Sequence, residues 1–129
     1  MFTLEQIKQR HSKVKSGADF PKYIRDLRVL GVNNYITYVA DGHVEYFGDA
    51  NFHLKSDPKY SIINVSEKNE NDKFKDYLKT HQQGKSDYLT FCKQAAETGI
   101  EKWVVLLNEM TCTYYDKKGN QVLVENVPQ

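Results

Sequence analysis

Cysteine is scarce in this 129-residue chain, which has two, Cys92 and Cys112. They are too few and too far apart for a disulfide framework or a metal cluster, and both are expected as free thiols. Long hydrophobic runs are missing as well: the longest, WVVLL from Trp103 to Leu107, falls far short of the roughly 20 apolar residues that a bilayer span requires. The opening MFTLEQIKQRHSK carries charge from Glu5 onward and has neither the apolar stretch nor the small-residue cleavage site of a signal peptide. A cytoplasmic protein with no membrane partner is therefore the expectation. Neither sign of charge dominates, since 18 Lys and Arg against 17 Asp and Glu leave a net charge of +1. That balance removes any global electrostatic case for nucleic acid or an anionic membrane. His11, His43 and His53 show no ligand spacing, and no C-x-x-C, H-x-x-x-H, G-x-G-x-x-G or Walker-type loop occurs, so neither a metal nor a nucleotide cofactor is expected.

What is present reads as one globular domain, with 40% hydrophobic and 27% charged residues. Within it the chain resembles itself. Shifted by 68 residues, Asp19 falls on Asp87, Phe20 on Tyr88, Tyr23 on Phe91, Gly31 on Gly99 and Val32 on Ile100. The correspondence continues with Tyr35 on Trp103, Ile36 on Val104, Val44 on Cys112, Tyr46 on Tyr114 and Phe47 on Tyr115. Few pairs are identical, yet aromatic and apolar positions keep their places, which points to an internal duplication with halves of about 1–65 and 70–129.

Each half reads as helix, helix, strand, strand, with a further strand after it. In DFPKYIRDLRVLG, residues Phe20, Tyr23, Ile24, Leu27 and Leu30 form an apolar stripe, Asp19 is placed to cap it, Pro21 suits its first turn and Gly31 stops it. In SDYLTFCKQAAETG the stripe is Tyr88, Phe91, Cys92 and Ala95, with Ser86 or Asp87 as cap and Gly99 as stop. Thr3 with Gln6 spells a capping box that starts a helix at residue 4, with Phe2 stapling onto Ile7, and a further helix is expected from about Asp72 to Gln82. Each stripe helix leads into two extended segments, NYITYVA and HVEYFG or KWVVLLN and TCTYYD; Asp41-Gly42 signals a two-residue hairpin turn between the first two, and NEM is a weaker version between the others. YSIINV at 60–65 and QVLVENV at 121–127 read as additional strands, with Lys117–Asn120 as the turn before the last. An isolated helix pair and hairpin cannot bury both apolar faces, but two copies can close on each other. The expected fold is α+β, with pseudo-twofold symmetry, an antiparallel or mixed sheet and helices on one face.

Three candidate sites follow. His81, Asp87 and Cys92 gather around a helix–helix turn in HQQGKSDYLTFC, residue types that suit a Cys–His or His–Asp pair. Against that, Cys92 and Cys112 replace Ile24 and Val44 of the other half, which marks them as small core residues. His81 suits a helix C-terminus and Asp87 a cap. Residues 1–28 hold Lys8, Arg10, Lys13, Lys15, Lys22, Arg25 and Arg28 against Glu5, Asp19 and Asp26, a cluster that could meet phosphate but equally suits the solvated faces of two helices. Finally, Tyr46-Phe47 and Tyr114-Tyr115 are adjacent aromatics on strands, where neighbours point to opposite faces. One of each pair must leave the helix-covered core and needs a cover, from a ligand, a protein partner or a second copy. Binding through that face is the leading reading, ahead of an enzyme or an accessory nucleic-acid protein.

The strings DFPKYIRDLRVLGVNNYITYVADGHVEYFG and HQQGKSDYLTFCKQAAETGIEKWVVLLNEMTCTYYDKKGNQVLVENVP resemble a small bacterial family of unknown function, whose members are often labelled "phage envelope protein" and are in part encoded in cryptic prophages. The resemblance spans nearly the whole chain and implies a single-domain α+β protein. It brings no activity, cofactor or catalytic residue.

Overall fold

Helices begin where the sequence places its caps, with one exception. The structure, a computed structural model, describes residues 2–14 and 19–127; Lys15 of the basic cluster and Pro128 lie outside the described residues. In α1 (Leu4–His11) the Thr3 hydroxyl accepts from the Gln6 N–H and the Gln6 side chain accepts from the Thr3 N–H, at 3.2 and 2.9 Å. Two donors that a helix start leaves orphaned are thereby satisfied. α2 (Phe20–Leu30) has Pro21 in its first turn and ends on Gly31 at φ +103°, a left-handed value that glycine adopts without steric cost. Asp19 is the exception. Its own dihedrals are helical (φ −87°, ψ −11°) and it makes no side-chain capping bond, because a capping side chain reaches back over the first turn only from an extended backbone. Asp87 has that extended backbone (ψ 169°), and its carboxylate accepts from the Thr90 N–H at 2.7 Å to open α4 (Tyr88–Glu97). α3 (Asn71–Gln82) precedes it and packs against it.

Six strands, β1 (Asn34–Tyr38), β2 (Val44–Phe47), β3 (His53–Lys55), β4 (Ile100–Leu106), β5 (Thr111–Asp116) and β6 (Gln121–Asn126), form one sheet in the order β3-β2-β1-β4-β5-β6. Every neighbouring pair is antiparallel. At the centre Ile36 lies opposite Val104, flanked by Tyr35 opposite Val105 and Thr37 opposite Trp103. The fold is α+β, and its order of α, α, β, β, β runs twice along the chain.

Three local features differ from the sequence reading. The β1–β2 connection is longer than a two-residue turn: Tyr38 N–H donates to His43 C=O and Gly42 N–H to Tyr38 C=O, leaving Val39–Gly42 as a four-residue loop with Gly42 at φ +76°. Tyr60–Val65 is not a strand. Its donors are spent on that loop, with Lys59 and Tyr60 N–H on Asp41 C=O, Ile63 N–H on Ala40 C=O and the Tyr60 hydroxyl on Val39 C=O at 2.6 Å. The segment is a strap laid over the loop, and the third strand of this half is the earlier His53–Lys55.

The core lies between the helices and one sheet face. Ile24 and Leu27 of α2, Phe74 of α3 and Cys92 and Ala95 of α4 are fully buried there, with Val105 of β4. Trp103 packs on Phe91 at 5.7 Å between ring centroids and Tyr114 on Phe74 at 5.1 Å, which fixes the helix-covered side. The hydroxyls of Tyr23 of α2 and Tyr46 of β2 interact on the same side, and burial pushes Tyr46 up to about 12.

Candidate functional site

Because strand neighbours alternate between faces, placing Tyr35, Tyr46, Trp103 and Tyr114 under the helices turns Ile36, Phe47, Val104 and Tyr115 to the other side. Burial alternates accordingly along β1 and β2. The register then sets out the helix-free face in rows. The middle row runs Lys55, Glu45, Ile36, Val104, Thr113, Val124 across the six strands. On one side of it lie His53, Phe47, Asn34, Leu106 and Thr111; on the other, Tyr38, Lys102 and Tyr115. Ile36, Val104, Leu106, Phe47, Tyr38 and Tyr115, each half-buried, thus form an apolar and aromatic band that no helix among the described residues covers. Lys102 places its ammonium 5.7 Å from the Tyr115 ring centroid.

The aromatic pairs therefore split. Phe47 and Tyr115 lie on the helix-free face, whereas Tyr46 and Tyr114 are 5% and 6% exposed and belong to the core.

One corner of this face is more elaborate than the sequence reading foresaw. His43 donates its backbone N–H to Asp41 Oδ1, and its Nδ1 lies 2.6 Å from the same oxygen. Its Nε2 is 3.8 Å from Glu45, and His53 Nε2 is 3.6 Å from the other Glu45 oxygen. Both imidazoles stack on aromatic rings, His43 on Tyr38 at 4.5 Å and His53 on Phe47 at 4.9 Å. Burial works against the Asp41 charge, but the two bonds from His43 and the nearby Lys55 outweigh it and hold the carboxyl below its usual range. Chemically, a ring N–H held by Asp41 presents the opposite nitrogen as a proton acceptor. The signal in sequence is parity: His43 immediately before β2 alternates with Glu45 and Phe47 on it, whereas the three-residue β3 that supplies His53 carries no strand signal of its own.

His81, Asp87 and Cys92 are each engaged by local structure. The His81 ring stacks on Phe91 at 4.5 Å, and its Nδ1 is 3.1 Å from both the carbonyl and the hydroxyl of Ser86. Burial lowers its pKa, with Ser86 and Asp87 opposing. Asp87 is committed to the α4 cap, and the Thr90 N–H lowers its pKa. Cys92 has no exposed surface; burial raises its thiol pKa, with the neighbouring Tyr60 and Tyr88 hydroxyls and Lys59 opposing. Arg10, Lys13 and Lys22 line a shallow groove between α1 and α2 with Asp26, which binds Lys22 at 3.2 Å. That groove is on the helical side, away from the aromatic band. Among the described residues, no three His, Cys, Asp or Glu side chains converge as a metal ion requires, and no helix is long and apolar enough to cross a membrane.

A family described as "Protein of unknown function (DUF1398)" matches the chain over residues 8–126. The chain belongs to that family. Comparison with curated proteins gives no match. Membership in the DUF1398 family assigns no activity, so the site must be read from its own chemistry.

Proposed function

We propose that this DUF1398 protein is a small binding protein that meets a protein partner through the helix-free face of its sheet. The observation that carries the reading is the uncovered band of Ile36, Tyr38, Phe47, Val104, Leu106 and Tyr115. Six strands about 4.8 Å apart and three to seven residues long give the whole face a projected area of roughly 500 Å², and the band occupies its centre as one contiguous apolar patch of the kind that marks interaction sites. A protein suits it better than nucleic acid. Glu45 with Lys55 and Lys102 make the charge of the face mixed, while the basic groove of α1 and α2 lies on the opposite side, so stacking surface and cationic track do not coincide. Catalysis through His81, Asp87 and Cys92 draws no support from the bonds those residues make. An envelope role gains none from the helices, and a cytoplasmic location remains part of this proposal.

The test uses Phe47→Glu with Tyr115→Glu, which charges the band without touching the core. Wild-type protein should retain a host protein that rebinds in purified form, and the folded double variant should lose it. Equal retention by both proteins would refute the reading.

We also infer that the two halves derive from one duplicated unit. In support, residues 68 apart meet at the centre of the sheet, Ile36 opposite Val104, and the Tyr35–Val105 and Thr37–Trp103 pairs exchange places under the same shift. Tyr35 opposite Tyr46 corresponds in this way to Trp103 opposite Tyr114. The left-handed residues Gly42 and Met110 close equivalent four-residue loops. Failure of residues 19–48 to superpose on 87–116 in an experimental structure would reject the inference.

A further inference from the structure

We propose that β6 is a docking edge for β6 of a second copy, so that two sheets join side by side. The two edges of the sheet are unlike. β3 is three residues long, contains Lys55 and is followed by the strap. Shortness and lysine are devices that keep an edge from pairing. β6 has six residues with Val122, Leu123 and Val124 at its centre and no Lys or Arg; a bulge at Val122 interrupts the start of its pairing with β5 and leaves residues 123–126 in regular register. Among the described residues β5 is the strand paired with it, and Gln82 of α3 reaches it at Glu125.

The ladder shows which backbone groups the edge presents. Val127 N–H donates to Met110 C=O at 2.7 Å, in register with Thr111 opposite Asn126. Hydrogen-bonded pairs alternate along an antiparallel ladder, so Glu125 and Leu123 turn their N–H and C=O toward β5, whereas Val124 and Asn126 turn theirs away. Val124 is also 52% exposed, the most open large apolar residue of the sheet.

A second copy fits this edge because an antiparallel strand is complementary to itself. With a twofold axis through Val124, its N–H and C=O bond to Val124 of the copy, and Asn126 comes opposite the bulged Val122 of the copy. The contact closes on itself. Pairing of β6 with β3 of the next molecule, which would propagate without end, is denied by the shortness of β3. An axis normal to the sheet keeps all helices on one side and makes the two helix-free faces continuous. The inference stands whether or not those faces bind anything. One strain is built in: Glu125, the sole charge on β6, falls diagonal to Glu125 of the copy at about 7–8 Å, although the Gln82 amide donates to it at 2.9 Å within its own chain.

Sedimentation velocity from about 10 μM to about 1 mM, a range that reaches weak association, provides the test. Wild-type protein should pass from monomer to dimer and no further, with amide exchange at Val124 and Asn126 slowing as dimer forms. Val124→Pro removes an outward N–H without costing a bond to β5, and Val124→Lys sets like charges across the axis; each should weaken the dimer at least about tenfold. Glu125→Gln should tighten it. Phe47→Glu with Tyr115→Glu should leave it intact, which separates this edge from the face. A wild-type protein monomeric throughout, larger oligomers, or a dimer that survives Val124→Lys would overturn the proposal, and Val124→Lys decides the matter if the proline variant does not fold.

Discussion

Asp116 ends β5 and holds together two segments far apart in sequence. It is 3% exposed. Its Oδ1 accepts from Lys118 N–H at 3.0 Å and Asn120 N–H at 2.9 Å, shaping the turn into β6, and its Oδ2 accepts from Asn69 Nδ2 at 2.8 Å and Asn120 Nδ2 at 3.3 Å. Asn69 lies in the polar connector before α3, so one carboxylate ties that connector to the β5–β6 turn. A hydrogen bond to a charged group contributes about 1.5–3 kcal/mol. Water can replace the acceptor for the exposed Lys118 and Asn120, so Asp116→Ala should cost about 2–4 kcal/mol rather than the sum. At about 2.1 cal/mol/K of unfolding entropy per residue, 1 kcal/mol moves the Tm of a chain this long by about 4 °C. The expected loss is therefore about 7–15 °C at pH 7. Burial opposes the Asp116 charge, but the donors from Asn120, Asn69 and Lys118 prevail and the pKa is lowered. A carboxyl whose folded pKa lies below its unfolded value of about 3.9 contributes its full stability above that value and loses it as pH falls through the folded pKa. The gap between wild type and Asp116→Ala should accordingly narrow from pH 5 to the acid limit of folding. Asp41 and Asp87 titrate in both proteins and cancel in the difference. Circular dichroism melts at pH 7 and near pH 3 measure the gap; equal Tm values at pH 7, or a gap that does not shrink in acid, would show that the carboxylate does not join these segments.

Gly42→Ala should destabilise by about 1–3 kcal/mol in a denaturant titration, because φ is +76° and a Cβ would meet the Tyr60 ring at 2.6 Å; an unchanged midpoint would mean the strap can move aside. Neither cysteine should react with a water-soluble disulfide reagent in the native protein. Burial raises Cys92 and pushes Cys112 up to about 12, and labelling should appear only with denaturant; fast native labelling would contradict both burials. Thr3→Ala should cost about 1 kcal/mol by removing the capping box, seen as a lower chemical midpoint with an unchanged slope.

Helices and central strands were legible because their signals are local. The Thr3-x-x-Gln6 box, the stripe Tyr23, Ile24, Leu27 and the glycines after each stripe are set within one turn of backbone, and tertiary packing agrees with them. The strap was not legible. Tyr60–Val65 has strand composition, but its fate is decided by bonds to Val39, Ala40 and Asp41, some 20 residues earlier. The same holds for the imidazole corner, where His53 comes beside Glu45 only through the β2–β3 pairing. Of the aromatic pairs, alternation foretold that each would divide between two faces. It did not say which member would leave, since that depends on which side the helices take.

The strap also bears on why the two edges differ. After Lys55 the chain turns away at Ser56, whose hydroxyl accepts from Val44 N–H at 2.8 Å, and runs back to close over the β1–β2 loop before Ser66 N–H reaches Ala96 C=O. The residues that would lengthen β3 are consumed in that crossing. On the other half no such crossing follows β5: Asp116 organises a tight turn, and β6 runs six residues along its neighbour. Two halves with the same order of elements therefore leave one edge blunted and the other open. A contact made through the open edge can unite two molecules without extending into a fibre. Asp116→Ala provides the connection between the stability and association arguments: by loosening the β5–β6 turn it should weaken dimerisation as well as lower the Tm, whereas Thr3→Ala, on the far side of the molecule, should lower stability alone.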